Sequence, residues 1–420
     1  MSERSLWHHA DFLRLWAAQA ISAYGARITR TALPIVAISA LGQSESIVGA
    51  LTAAQLAPGV LLALFAGGWI DRGNKRRILI GADLARAVAV ASLTLAWGLG
   101  ALTIVHLIVA GAVVGAASAL FAITDNAYLP ALIGRNQLAE GNAKIEATEA
   151  IAEITGPASA GALIAALGAP LAVAIDAATY VWSAVWLWQI KAREAPHAEH
   201  RPPPGASMSA RLHGSDLRVG MRAVFGHPIV RPIVVSHMVW SISGGFFMAL
   251  YTPFCLNELG LSETAFGIVI AMGGVGSLAG ALLSRSSVRW FGLGRTLVMT
   301  SALSLACALF IPLADGPYAV VIAFLVAHQL LSDGFSVAFV IQAVTLRQTV
   351  LRKDVLGRAN AVIHVCTASL LPVAALTAGF VAEAVGVRSA VWIGVAIGLV
   401  PPFLLLPLWK LREMPLPSDR

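Results

Sequence analysis

Long apolar runs, each about the length of a membrane-spanning helix, alternate along this chain with short polar joints. A helix needs about 20 apolar residues to cross the hydrocarbon core of a bilayer. On that rule the pattern predicts helices at about 13–40, 46–70, 77–98, 102–125, 145–168, 171–190, 230–256, 263–285, 295–313, 317–345, 358–382 and 389–409. Glycine- and proline-bearing joints, WGLGA, LGAP, FGLG, ADGP and AVGV, punctuate the series as turns do. The predicted fold class is all-α: an integral membrane protein with twelve transmembrane helices in two six-helix, pseudo-symmetric bundles.

The longest polar stretch, KAREAPHAEHRPPPGASMSARLHGSDLRVGMR, runs from Lys191 to Arg222. Its proline, histidine and charge mark a linker with some amphipathic helix. The expected organisation is an N-terminal bundle at 1–190, a cytoplasmic linker at 191–228 and a C-terminal bundle at 229–420. The halves echo each other. Gly141–Asn142–Ala143 corresponds to Ala359–Asn360–Ala361, and the same offset carries Gly161 onto Gly379 and Gly168 onto Gly386. Gly67-x-x-x-Asp71-Arg72 is matched by Gly280-x-x-x-Ser284-Arg285. In repeats of this kind substrates bind between the halves.

Composition agrees with a bilayer as solvent: 58% of residues are apolar and 12% charged, against about 25% charged in soluble domains. The net charge of +7 does not point to nucleic acid, because the basic residues sit in joints between spans and form no basic domain. Placing both termini in the cytoplasm puts nearly all Lys and Arg on the inner side. Arg27, Arg30 and Arg86 then lie within spans, and only Arg388 falls outside. The outer joints carry Glu45, Glu258, Glu263, Asp315 and Glu383. This predicts a multi-pass protein of the inner or plasma membrane. The N-terminus does not read as a signal peptide, since Arg14, Gln19, Arg27 and Arg30 interrupt its first apolar run. Cys255, Cys307 and Cys366 lie in apolar runs and offer neither a disulfide framework nor metal spacing.

One joint carries more than orientation requires. Gly67 to Arg77 reads GGWIDRGNKRR. A positive-inside anchor accounts for Lys75, Arg76 and Arg77. It does not account for Asp71, or for Ala66, Gly67 and Gly68, which let a neighbouring helix approach closely. A carboxylate there can cap a facing helix, and Arg72 can pair with an acid. Such contacts form in one conformational state and break in another.

This loop resembles the signature loop of the major facilitator superfamily. FLRLWAAQAISAYGARITRTALP in span 1, ADLARA after the loop, IDAATYVWSA in span 6 and LRQTVLRKDVLGRANAV between spans 10 and 11 resemble its branch of twelve-span drug:proton antiporters, with macrolide-efflux and enterobactin-exporter-like proteins. The resemblance implies the major facilitator fold, with spans 1, 4, 7 and 10 lining a central cavity and spans 2, 5, 8 and 11 between the halves. One departure stands out: members of the branch often carry an acid after the glycine of span 1, where this chain reads Gly25–Ala26–Arg27. Gly156–Pro157–Ala158–Ser159–Ala160–Gly161 resembles the Gly-Pro element of antiporters, associated with export. Physically, Gly156, Pro157 and Gly161 permit close packing and helix bending.

Ionisable groups within spans are costly and usually face a partner or a cavity. Glu146, Glu149 and Glu153 line span 5, Asp125 ends span 4, Asp333 sits in span 10, and Asp176 in span 6 reads as structural. Glu153, helped by Glu149, is the leading proton-coupling candidate, followed by Asp125 and Asp333. A low-dielectric span disfavours the ionised carboxylate, and a nearby arginine favours it, so Glu153 could load and release a proton beside Arg27 or Arg30. Candidates for the substrate cavity are Arg27, Arg30, Tyr24, Tyr128, Trp240 and Gln342. Asp83 and Arg86 in ADLARA join Gly67, Asp71, Arg72, Lys75 and Arg76 as the expected latch.

None of the five lysines follows a glycine, so the phosphate-binding element of an ATP-driven pump is missing. GGVGSLAG from Gly273 has the wrong spacing for a dinucleotide loop and reads as small-residue helix packing. No nucleophile elbow or metal-ligand cluster suggests an enzyme. The expectation is a secondary transporter acting as a monomer, without a cofactor or metal, that uses the proton gradient to export an amphipathic small molecule, drug- or siderophore-like. The alternatives are an uptake carrier, a lipid or lysolipid flippase, or a non-transporting sensor on the same scaffold. The latch reading has a direct consequence. Asp71→Asn keeps the size and the basic charge of the loop, so transport should collapse while expression and membrane insertion survive. Normal transport by this variant, measured by substrate accumulation in cells, reduces the loop to an anchor.

Overall fold

The computed structural model describes residues 5–65, 69–70, 73–192 and 214–411. All regular structure among them is helical. The first half holds α1 (Ala10–Ile35), α2 (Glu45–Phe65), α3 (Lys75–Gly98), α4 (Ile104–Ile133), α5 (Leu138–Leu167) and α6 (Ala169–Trp188). A short α7 (Gly214–Phe225) lies in the second part of the expected linker. Then come α8 (Val230–Pro253), α9 (Glu263–Phe291), α10 (Leu293–Ala308), α11 (Tyr318–Val350), α12 (Lys353–Ala368), α13 (Leu370–Val385), α14 (Val387–Gly398) and α15 (Pro401–Leu405). Ten helical segments among the described residues are long and apolar enough to cross a membrane, α12–α13 and α14 through the turn after α15 each forming one. The charge-bearing α1 and the 16-residue α10 fall outside that criterion.

Local chemistry sets the ends. Asn74 caps α3 by accepting from the Arg77 N–H at 2.9 Å, and Thr103 caps α4 by accepting from the His106 N–H at 3.2 Å. Each of the joints WGLGA, LGAP, FGLG, ADGP and AVGV holds a glycine at positive φ: Gly100, Gly168, Gly292, Gly316 and Gly386. A side chain is strained in that region. Gly168 (φ 81, ψ 153) and Gly386 (φ 87, ψ 152) adopt one conformation at equivalent joints of the two halves, as the sequence echo predicts.

Some boundaries differ from the hydrophobic pattern. Helix α4 continues past Asp125 to Ile133, and α5 begins at Leu138, before the apolar stretch. Backbone hydrogen bonding continues past the last apolar residue once polar side chains are carried on the bundle. Of the predicted spans, the eleventh divides at Ser369. The twelfth breaks before Pro401, where the proline rings supply no N–H. In the linker, α7 is amphipathic; Val224 is buried, and Gly220 lies where an added Cβ would come 2.8 Å from the Arg358 carbonyl.

The chain forms two compact units, Met1–Gln43 with Ala54–Pro203, and Ser44–Ala53 with Pro204–Arg420. The first turns of α2 therefore group with the second unit, where Gly49 and Gly379 come into backbone contact. In the first unit, Leu6, Phe12, Leu15, Leu79, Tyr128, Leu129, Ile133 and Leu187 form one apolar core. Asp11 ties the start of α1 to the end of α6 by accepting from the N–H groups of Lys191 (3.1 Å) and Ala192 (2.9 Å) and from Arg14 (2.5 Å).

In the second unit, the glycine-rich stretch of α9 packs on α11. An added Cβ at Gly276 would meet the Leu330 carbonyl, and one at Gly280 the Gly334 carbonyl. Nothing there resembles a nucleotide loop; backbones touch because side chains are missing. Gly276→Leu should therefore destabilise the fold by about 3 kcal/mol through overpacking, read as a lower unfolding midpoint in detergent. Gly81→Ala meets nothing within 4 Å and gains about 1 kcal/mol of helix propensity, so its midpoint should hold or rise.

Candidate functional site

Three charged residues meet between α1 and α5. Glu149 and Glu153 stand one turn apart on α5, on one face. The Arg27 Nη2 lies 3.1 Å from Glu149 Oε2 and 2.6 Å from Glu153 Oε2. The arginine side chain is 15% exposed and the two glutamates 42% and 45%. The guanidinium is therefore enclosed while its partners stay open to exchange with their surroundings. One Nη bridges two carboxylates, and the buried Nε has no partner.

Glycine makes the arrangement possible. A Cβ at Gly156 would lie 2.7 Å from Arg27 Cβ and 2.9 Å from its Cγ. The stem of Arg27 rests on that bare backbone while the head reaches back along α5 to Glu153 and Glu149. The helix runs unbroken through Pro157 to Leu167, with Gly156, Pro157 and Gly161 all buried. The seam is extended by Tyr24, whose hydroxyl bonds Ser159, and by the Trp16 Nε1, which donates to Thr148 at 2.9 Å. Eight residues before Arg27, Gln19 donates from Nε2 to Asp125 Oδ1 at 2.5 Å. Asp125 lies within α4 rather than at its end.

The other cavity candidates are not brought to this cluster. Arg30, one turn past Arg27, is the exception: it faces Arg27, Glu149 and Glu153 without a direct ion pair to either acid. Tyr128 is 2% exposed and belongs to the apolar core. Gln342 of α11 is buried and donates to the Ser284 carbonyl (3.1 Å) and hydroxyl (2.8 Å) of α9, so it serves helix packing. Trp240 stacks against His237 one turn away, ring centres 5.4 Å apart. Asp333 lies on α11 against Gly273 of α9. Polarity and aromaticity marked these residues in the sequence, but both properties are as useful in a packed seam as in a cavity.

Of the expected latch, Gly67, Asp71 and Arg72 lie outside the described residues. Lys75 opens α3. Arg76 donates to the terminal carbonyls of α6, Leu187 (2.9 Å) and Trp188, where a cation also complements the helix dipole. Asp83 and Arg86 pair with each other inside the first unit, with Arg86 4.7 Å from the Phe121 ring centre and 4.3 Å from that of Tyr180. These three residues are engaged in holding their own bundle together.

The sequence profile of the Major Facilitator Superfamily matches residues 15–370. The chain belongs to that superfamily. It is 25% identical over 287 residues to an uncharacterised MFS-type transporter, y4rN, of Sinorhizobium fredii, covering 68% of each chain. Among solved structures, it is similar to a bacterial homologue of the iron transporter ferroportin (TM-score 0.75, 18% identity, 95% of this chain and 98% of that one). It is also similar to the nucleoside transporter NupG (0.74, 10%, 95% and 99%) and to a bacterial homologue of the human lysosomal transporter Spinster (0.71, 14%, 98% and 100%). At these identities the structural likeness establishes the fold. This protein is thus a multi-pass membrane transporter of the major facilitator fold rather than an enzyme.

Sequence reasoning found Arg27, Glu149 and Glu153 separately, and missed Gly156 as the seat of Arg27 and Gln19 as the partner of Asp125. The spacing of Trp16, Gln19 and Arg27 along span 1, each facing a polar residue in the bundle, was the available signal. Gly156→Val should displace the Arg27 stem and reduce transport at least tenfold, while Ser159→Ala, which removes only the Tyr24 bond, costs much less. Equal activity of Gly156→Val and wild type in a substrate-flux assay would show that Arg27 needs no such seat.

Proposed function

We propose that this transporter exports an amphipathic small molecule in exchange for protons, working as a monomer in the cell membrane with both termini cytoplasmic. The observation that carries this reading is the Arg27–Glu149–Glu153 cluster: two carboxylates share one guanidinium across two spans. At contact distance one carboxylate charge is left unmatched, with Arg30 facing both glutamates without bonding either, and a single proton on the pair shifts that balance. With a proton on either glutamate, Arg27 keeps one partner; with the proton gone, it holds both. The two states pull α1 and α5 together with different strength, which is what coupling a proton to a helix movement requires.

The half-exposed glutamates give the proton a route, and the enclosed guanidinium keeps the contact from dissolving into water. The proton gradient then serves as the energy source in place of a cofactor. Export, rather than uptake, follows from the likeness of the Gly156–Pro157 stretch to the antiporter element. An amphipathic substrate follows from the likeness of four stretches to the drug-antiporter branch. The basic residues concentrated on one side of the spans support the cytoplasmic placement of the termini.

Glu153→Gln mimics a permanently protonated side chain. It should abolish uphill, proton-driven export while retaining substrate counterflow in proteoliposomes. Arg27→Ala should lose transport, and Arg27→Lys recover only part of it, because an ammonium lacks the guanidinium's several directed donors. Uphill export by Glu153→Gln at the wild-type rate, with undiminished proton flux, contradicts the proposal.

A further inference from the structure

The cluster around Arg27 leaves unused the two most deeply enclosed carboxylates of the first unit. Asp83 on α3 and Asp176 on α6 are both 0% exposed, and Arg86 is 5% exposed. Arg86 bonds Asp83 Oδ1 and lies between the Phe121 and Tyr180 rings. Asp176 Oδ1 accepts from the Thr179 hydroxyl at 3.0 Å, and the hydroxyls of Thr29 and Tyr180 also face the carboxyl. Asp83 Oδ2, Asp176 Oδ2, Arg86 Nε and the hydroxyls of Ser183 and Thr29 are all enclosed without closing a hydrogen bond.

Counting charges separates the two acids. Asp83 has Arg86 bonded to it and the Ser183 hydroxyl facing it. The groups facing Asp176 are Thr29 from α1, Arg86 from α3, and Thr179 and Tyr180 from its own helix. Tyr180 in turn faces Arg86 and Asp83, and Arg30 of α1 faces Tyr180. Arg86 is the cation common to both acids; its Nη2 is bonded to Asp83, and among the described residues no ion pair within 4 Å joins a cation to Asp176. An ionised carboxylate without a cation of its own, closed off from water, is strongly disfavoured.

We propose that Asp176 is a second proton-binding site, occupied at neutral pH, with the proton on Oδ2 directed at the Thr29 hydroxyl. That proton balances the cluster: two carboxylates, one guanidinium, one proton. It also gives the unfilled Oδ2 and Thr29 oxygens the hydrogen bond they lack.

The site lies directly under α1. A Cβ at Gly25 would fall on Asp176 Oδ1 and Thr179 Oγ1 and come 2.9 Å from Thr179 Cβ. The backbone of α1 therefore rests on the Asp176 carboxyl, two residues before Arg27 turns to the glutamates of α5. One helix carries a proton site on each side. Removing the Asp176 proton leaves a net negative charge in the seam beneath Gly25 and loosens α1 there; restoring it closes the seam. The inference goes beyond the coupling assigned to Glu153 and stands whether or not that assignment holds.

Infrared spectroscopy of the full-length protein in lipid bilayers tests it. At neutral pH the protein should show the carbonyl stretch of a neutral carboxylic acid, shifted in deuterium oxide. A component of that band should be lost in Asp176→Asn and retained in Asp83→Asn and Glu153→Gln. If Asp176→Asn does not fold, Thr179→Val serves instead, because removing the donor to Oδ1 should shift the same band without abolishing it. No neutral-acid band at neutral pH overturns the proposal. So does a band lost in Glu153→Gln and unmoved by Thr179→Val, or one that vanishes when sodium replaces choline in the buffer, which would assign the site to a metal cation. Failure of proton-driven export to depend on Glu153 would leave the infrared result unaffected, so the two readings fail separately.

Discussion

A charged side chain inside a membrane-spanning bundle survives only with a partner close at hand, and in this protein that requirement falls hardest on Arg27. Its guanidinium is fixed by two glutamates from α5, and its aliphatic stem lies on the bare backbone of Gly156. Neither feature works without the other. A side chain at position 156 would push the stem away, and without the glutamates the enclosed charge would have nothing to face. The placement of α1 against α5 follows from this joint condition, as does the alignment of Tyr24 with Ser159 and Trp16 with Thr148.

The same economy of small residues organises other seams. Gly25 brings α1 onto Asp176 and Thr179 of α6, and Gly276 and Gly280 bring α9 onto the carbonyls of α11. Lipid offers no hydrophobic incentive for helices to associate, so close backbone packing and a few satisfied polar contacts carry the load. Arg388 shows the pattern as well. Expected on the outer side from the charge distribution, it is paired with Glu258 at 2.6 Å and bonded to the Pro312 carbonyl at 2.8 Å.

Much of the fold was legible because bilayers impose a coarse, length-based code. Apolar runs marked the helices, and each of the five predicted joints holds one glycine at positive φ. The ends were less legible: nothing in apolarity shows that α4 continues through Asp125 to Ile133. The charged cluster was half-legible. A glutamate pair one turn apart and an arginine in a span were visible as costly residues, but their meeting depends on which faces of α1 and α5 adjoin. Tyr128 and Gln342 show the same limit of sequence reading. A buried tyrosine in a leucine-rich core and a glutamine bonded across to Ser284 carry the same side chains that would line a cavity. Asp83 and Arg86 resemble a latch in sequence, yet their partners are each other and the rings of Phe121 and Tyr180.

The account depends most on Arg27 and Glu153 acting as one unit, and a double-mutant cycle measures that directly. Unfolding free energies of the wild type, Arg27→Gln, Glu153→Gln and the double variant, taken in one lipid–detergent mixture, isolate the pairwise coupling. Solvent screening of the half-exposed glutamate limits its size, so the expected value is about 1 kcal/mol, with the double variant less destabilised than the two single losses combined. Additivity within about 0.3 kcal/mol would mean the two side chains are neighbours without being partners, and would contradict the account.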